Sequence, residues 1–149
     1  MTSAYLRWGV RSSLKEYVLS LPGGSIWTDG GAAPLSDGRY EFRAAGYDPT
    51  ADIYRFSGSV HFRGHGGMLS LDVIDPCVQW SEGGPVLTVA DLDDPAERIP
   101  FVQLGGLGRD LSAPNAHAAP TTLTAQGAEM FLGNYQRGML FDPVEIKSR

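Results

Sequence analysis

The chain has 149 residues, 42% of them hydrophobic and 19% charged, which suits one folded domain with a real core. The formal net charge is −5 and no basic stretch stands out, which argues against nucleic acid or an anionic membrane surface as the main partner. The single cysteine, Cys77, excludes an intrachain disulfide and a cysteine-based metal site.

The N-terminal residues show no secretory signal, and no apolar run is long enough for a transmembrane helix. If Met1 is the native start, we expect a cytoplasmic protein. The 19 glycines and 10 prolines, with short alternating segments between them, are typical of a β-rich fold. No repeat or linker divides the chain, so we predict a single domain over residues 1–149.

The first third of the chain is predicted to contain one helix and two strands. Apolar residues at helical spacing predict a helix over residues 6–21, which Pro22-Gly23-Gly24 ends. A short strand is predicted over residues 25–28 and another over residues 40–44. A loop over residues 29–38 separates them, and a turn region follows over residues 46–52.

Residues 56–73 are predicted to form a β-hairpin. Apolar and polar residues alternate over residues 56–62 and again over residues 69–73. The turn between them, Arg63-Gly64-His65-Gly66-Gly67, has more glycines than a tight turn requires. Glycine permits positive φ and a close backbone approach, so this excess is a first indication of function.

The second half of the chain is predicted to be mostly strand and loop. Strands are predicted over residues 78–80, 86–90 and 99–104, with a solvated acidic loop over residues 91–97. Residues 105–120 are expected to be irregular. Thr124 is predicted to cap a helix that runs to residue 131, which Gly127 weakens by up to about 1 kcal/mol. Residues 133–146 contain apolar positions without a clear period.

The predicted N-terminal helix carries two hydroxyl groups on an otherwise apolar face. Ser13 and Tyr17 share that face with Val10, Leu14 and Leu21 at 100° per residue. Hydroxyl groups on an inward face need partners. This is the second indication of function.

No phosphate-binding loop, HExxH or GxSxG motif is present. The histidines lack metal-ligand spacing on a helix, although His61 and His65 could hold one metal ion if the turn folds back. In the simplest interpretation, Tyr17 is an amphipathic core residue, Ser13 bonds to a helical carbonyl and His65 is an exposed turn residue.

The alternative interpretation is a tyrosinate-ligated iron porphyrin. A phenolate is a hard anionic ligand suited to ferric iron, and tyrosine is an established axial ligand of haem. A histidine that reaches the phenolate oxygen would favour the deprotonated form. The glycines beside His65 would let it approach and would leave space for a flat ligand.

Five segments of the chain carry a resemblance to a known family, in the family's order and over nearly the whole chain. They are WGVRSSLKEYV over residues 8–18, FSGSVHFRGHGGML over residues 56–69, Asp75-Pro76, residues 123–133, and LFDPV over residues 140–144. In these segments the chain resembles the HtaA haem-binding domain of actinobacterial haem-uptake proteins.

The resemblance implies a β-rich (α+β) domain of antiparallel sheet or sandwich. A short N-terminal helix would present the haem ligand, and a short helix would lie near the C-terminus. Tyr17 matches the axial ligand of the haem iron, His65 the histidine that bonds it, and Ser13 a serine near a propionate. Tyr135 matches more loosely a second tyrosine near a propionate. The implied cofactor is haem b.

Two functions follow from the resemblance. The first is a carrier or store of haem that exchanges it with a donor or acceptor protein. The second is a haem-dependent enzyme in a peroxide-linked or biosynthetic pathway, possible substrates being nitrogen–oxygen compounds, with His61 and His117 as candidates to move protons. A haem-free interaction module is a third option, against which the joint match of Tyr17, Ser13 and His65 argues. A homodimer through an exposed strand edge is possible.

Overall fold

The structure is a computed structural model that describes residues 4–94, 96–111 and 116–148. Within these ranges the first half of the chain forms β1 (Ala4–Trp8), α1 (Ser12–Ser20), β2 (Ser25–Asp29), β3 (Ala33–Pro34), β4 (Tyr40–Asp48), β5 (Ile53–Ser57), β6 (Ser59–Gly64), a 3-10 turn (His65–Gly67) and β7 (Leu69–Ile74). The second half forms β8 (Cys77–Ser81), β9 (Gly84–Ala90), β10 (Arg98–Leu104), β11 (His117–Leu123), α2 (Ala125–Glu129) and β12 (Leu140–Ser148).

The strands form two antiparallel sheets. The larger has the order β1-β12-β11-β10-β9-β8-β5-β4-β3, and β4 also pairs with β1, so the sheet closes on itself. The smaller sheet has the order β2-β6-β7. The predicted β-rich fold with two short helices is therefore confirmed. No helix in the described ranges is long and apolar enough to span a bilayer.

Trp8 is one of the largest side chains of the core. Its ring is fully buried and packs edge-on against Phe101, with ring centroids 5.5 Å apart. Its Nε1 donates a hydrogen bond to the Asp142 carbonyl at 2.6 Å. This contact satisfies the buried indole N–H and ties β1 to β12.

The N-terminal helix is shorter than predicted. Residues 6–8 belong to β1 and α1 begins only at Ser12, so the predicted helix over residues 6–11 is wrong. Leu6, Trp8 and Val10 also alternate with a period of two, which is the pattern that the chain follows. Val10 lies between the two elements at φ 64 and remains fully buried.

The hairpin prediction is confirmed for β6 and β7, but residues 56–62 do not form one strand. Phe56 lies in β5 of the large sheet, while Val60 and Phe62 lie in β6 of the small sheet. Gly58, at φ 120, lies between the two strands. A Cβ at this position would come within 2.7 Å of Ala32, so only glycine fits the crossing.

The predicted loop over residues 29–38, the predicted strand over residues 40–44 and the predicted irregular region over residues 105–120 were each only partly right. β3 lies inside the predicted loop over residues 29–38, β4 extends past residue 44 to Asp48, and β11 occupies part of the predicted irregular region. A register shift between Ala44 and Gly46 interrupts the alternation of β4. Such a bulge hides the strand period from the sequence.

The C-terminal strand β12 escaped prediction for the same reason. Ala119 pairs with Val144 and Thr121 with Phe141, so an advance of two residues along β11 corresponds to three residues along β12. The extra residue of this bulge lies at Asp142-Pro143. By contrast, the helix predicted from Thr124 is confirmed as α2, although it ends at Glu129, and the Thr124 Oγ1 accepts a hydrogen bond from the Gly127 N–H at 2.8 Å.

Candidate functional site

A cleft of about 740 Å³ lies between α1, the 3-10 turn and the segment that follows α2. Such a volume is typical of sites for small molecules and cofactors. Most of its walls are apolar, formed by residues of α1, β7 and the segment 130–132. The polar residues that line it are Arg11, Ser13, Tyr17, His65, Ser70, Asn134 and Tyr135.

The cleft brings together the four residues that the sequence singled out. Ser13 and Tyr17 come from α1, His65 from the 3-10 turn and Tyr135 from the segment after α2. They are far apart in the sequence, so their meeting is a property of the fold. Their individual roles stay predictions.

Tyr17 projects into the cleft because α1 packs on the core with a different face. Leu14 and Val18 are the buried residues of the helix, whereas 48% of Tyr17 is exposed. The interpretation of Tyr17 as a core residue is therefore wrong. The Tyr17 Oη lies 3.3 Å from the His65 Nε2, a weak hydrogen bond, and the two rings meet edge-on.

The glycines around His65 have separate functions. A Cβ on Gly64 would come within 2.6 Å of the Leu21 Cδ1, so Gly64 allows the turn to pack against the residue that follows α1. His65, Gly66 and Gly67 have φ values of 52°, 65° and 95°. This left-handed run is easy for glycine and aims the imidazole at Tyr17.

Sequence analysis missed Arg11, which lies at the N-terminal end of α1. Its Nη1 donates to the Ser13 Oγ at 2.5 Å and its Nε to the Leu140 carbonyl at 3.1 Å. Its guanidinium carbon lies 5.2 Å from the centre of the Tyr135 ring, which itself stacks on Phe131. Its only sequence signal was its position two residues before Ser13.

The other two histidines are not part of the cleft. His61 lies on β6, where its Nδ1 is 2.5 Å from the Asp72 Oδ1 and its Nε2 is 3.0 Å from the Ser59 Oγ. His117 belongs to β11 and does not line the cleft either. The described residues contain no cluster of three or more side chains suited to a metal ion. His61 is thus engaged elsewhere and does not pair with His65.

Two kinds of comparison relate the chain to known proteins. The protein-family model described as Htaa matches residues 3–147. The crystal structure of the N-terminal domain of HtaA from Corynebacterium glutamicum is similar at 28% identity, with a TM-score of 0.77 over 98% of this chain and 96% of that one. No curated protein gives a significant match.

Two further structures from the same organism share the fold. The C-terminal domain of HtaA has a TM-score of 0.71 at 21% identity, over 98% of this chain and 95% of that one. The haem-binding protein HtaB has a TM-score of 0.75 at 18% identity, over 100% of this chain and 96% of that one.

Proposed function

The chain belongs to the HtaA family, and from this premise we propose that its cleft binds haem b with Tyr17 as the axial ligand of the iron. The observation that carries the proposal is the 3.3 Å approach of the Tyr17 Oη to the His65 Nε2 in a mainly apolar cleft. The structural similarity to HtaB, which is described as a haem-binding protein, supports it.

The residues of the cleft fit this group by three criteria. A phenol oxygen is suited to ferric iron, and tyrosine is among the known axial ligands of haem. The apolar walls suit the face of a porphyrin, and the volume is in the range of cofactor sites. A Cβ on Gly66 or Gly67 would meet no atom within 4 Å, so the turn leaves free space beside His65.

In this proposal His65 accepts the proton of Tyr17 and hydrogen-bonds the phenolate that results. In the free protein the Tyr17 hydroxyl can donate to the His65 Nε2. To act as an anionic ligand the tyrosine must lose that proton. That proton would pass to the His65 Nε2, from which the ring donates a hydrogen bond to the phenolate oxygen and so favours the deprotonated form. Bound haem would supply the ferric iron that the phenolate coordinates.

We favour a haem carrier or store over a haem-dependent enzyme. Tyr17 is half exposed in an open cleft, so the ligand can enter and leave without any rearrangement of the core. An enzyme needs a second group that moves protons near the ligand, and His61 and His117, the candidates, do not line the cleft. Exchange with a donor or acceptor protein is part of this proposal. A homodimer and a cytoplasmic location stay predictions.

Titration with haemin, followed by absorption, tests the proposal. We expect a Soret band with weak visible bands in the wild type, and loss of that spectrum in Tyr17→Ala. In His65→Ala the spectrum should persist with binding weakened roughly tenfold to a hundredfold, because a hydrogen bond to a charged group contributes about 1.5–3 kcal/mol.

Tyr47→Ala is the matched control. Tyr47 lies on β4, outside the cleft, and 46% of it is exposed, close to the 48% of Tyr17. This variant should bind haemin as the wild type does. Full retention of the haem spectrum in Tyr17→Ala would refute the assignment of the axial ligand.

A further inference from the structure

Of the described residues that line the cleft, Arg11 is the one with a permanently charged side chain. The protein as a whole has a net charge of −5. An overall excess of basic residues therefore does not explain why a cation lies in a mainly apolar cleft. Arg11 is partly buried and its hydrogen bonds are exposed, so its charge is open to solvent in the free protein. A ligand that covers this charge must therefore offer it an opposite charge or several hydrogen-bond acceptors.

Among the described residues, Arg11 has hydrogen-bond partners but no counter-ion. Its Nε and Nη1 donate to the Leu140 carbonyl and the Ser13 hydroxyl. Within the described part of the chain no carboxylate forms an ion pair with it, whereas Arg7, Arg39 and Arg63 each have at least one. The Arg11 Nη2 makes no hydrogen bond to any described residue.

The guanidinium of Arg11 is also held in a fixed position. Its carbon lies 5.2 Å from the ring centre of Tyr135 and 5.9 Å from that of Phe141, both within cation–π range. Together with the bond to the Leu140 carbonyl, these rings limit its freedom. A guanidinium that is oriented in advance and lacks a counter-ion is suited to a carboxylate, which it can bind through two parallel hydrogen bonds.

We propose that Arg11 is a specificity-determining residue of the cleft, whose charge pairs with a carboxylate of the ligand at the end where the resemblance implies that Ser13 and Tyr135 lie near a propionate. This inference rests on the proposed function and identifies the residue that distinguishes a charged ligand from a neutral one. The Ser13 hydroxyl, which is already bonded to Arg11, can donate to the same carboxylate. Ser13 and Tyr135 are neutral, and Arg11 supplies the positive charge that they lack.

The test compares haemin with haemin dimethyl ester, which has the same iron and ring but no carboxylates. Both are titrated from matched dimethyl sulfoxide stocks into the wild type, Arg11→Gln and Arg11→Lys, and into Arg43→Gln as a control. Arg43 is an exposed arginine of β4 that lies outside the cleft. The readouts are the dissociation constant for each ligand and the shape of the absorption spectrum.

We expect the wild type and Arg43→Gln to bind the acid at least about tenfold more tightly than the ester, because charge-assisted hydrogen bonds are lost in the ester. Arg11→Gln should bring this ratio close to one, and Arg11→Lys should keep part of it. The spectrum should be the same in all four proteins, because ligation by Tyr17 is unchanged. The ratio in the wild type should also fall as salt concentration rises.

An unchanged ratio in Arg11→Gln would overturn the role of Arg11 and leave haem binding in place. If Arg11→Gln does not fold, the wild type still decides, since equal affinity for acid and ester would overturn the inference. If the wild type shows no specific spectrum with either ligand, the proposed function itself fails, and the inference fails with it.

Discussion

At the scale of single residues, Gly127 shows how packing reverses an expectation from helix propensity. The residue is buried in α2, and a Cβ there would come within 2.3 Å of the Phe101 carbonyl oxygen and 2.9 Å of the Leu123 Cδ1. In an exposed helix, replacement of glycine by alanine would stabilise by up to about 1 kcal/mol. Here we expect Gly127→Ala to lower the free energy of unfolding by about 1–3 kcal/mol, because α2 must move away from β10.

Urea denaturation of two single variants, Gly127→Ala and Gly83→Ala, measured side by side, checks this expectation. Gly83 lies in the turn between β8 and β9, and a Cβ there would meet no atom within 4 Å. Its replacement should change stability by no more than about 0.5 kcal/mol. A Gly127→Ala protein as stable as the wild type would show that α2 does not depend on this close approach.

At the scale of secondary-structure elements, α1 takes its N-terminal cap from a distant strand. Arg11 occupies the cap position without a side-chain cap bond. Instead, the Asp142 carboxylate accepts from the Ser12 N–H at 3.1 Å and from the Ser12 Oγ at 2.7 Å. A carboxylate at this end of a helix also interacts favourably with the helix dipole. Asp142 lies at the bulge of β12, a kind of irregularity that often redirects a side chain.

We therefore expect Asp142→Ala to lower the free energy of unfolding by about 0.5–2 kcal/mol, the usual effect of losing a helix cap. It should also weaken haemin binding, because α1 carries Tyr17. Asp142→Asn keeps one acceptor oxygen and should lose less. Asp93→Ala, at an exposed loop position, serves as the control in urea denaturation and haemin titration. Equal stability of Asp142→Ala and the control would exclude the cap as the anchor of α1.

The candidate site could be predicted where its signals are local. The spacing of Ser13 and Tyr17 and the glycines around His65 are short patterns that the sequence displays directly. The anchor of α1 could not be predicted, because Ser12 and Asp142 are 130 residues apart in the sequence. Arg11 gave little signal for a related reason. The position of its guanidinium depends on Leu140 and Tyr135, which only the fold brings beside it.

At the scale of the whole molecule, the class of fold was predictable but the arrangement of strands was not. Alternation and turn residues identified most strands, including β6, β7 and β9. Their division into two sheets depends on Gly58, where the chain leaves the large sheet for the small one. Closure of the large sheet depends on β1 pairing with both β12 and β4. These are long-range pairings, and bulges in β4 and β12 further conceal them.

The closed core also predicts how the stability of the molecule responds to alkaline pH. Burial raises the pKa of the Cys77 thiol above its ordinary value of 9.0, and burial likewise raises the pKa of Tyr40 above 10.0. Above pH 9 the unfolded chain therefore loses protons that the folded chain keeps, which favours unfolding. We expect the free energy of unfolding contributed by these groups to be fully present below about pH 9 and to decrease as the pH rises further.

Because the sequence contains one cysteine, Cys77→Ala removes the thiol contribution completely, and its stability should fall less steeply than that of the wild type between pH 9 and 10. Urea denaturation at half-unit pH intervals measures both slopes. Parallel curves for the two proteins would mean that the thiol ionises equally readily in the folded and unfolded chains, contrary to its burial in β8.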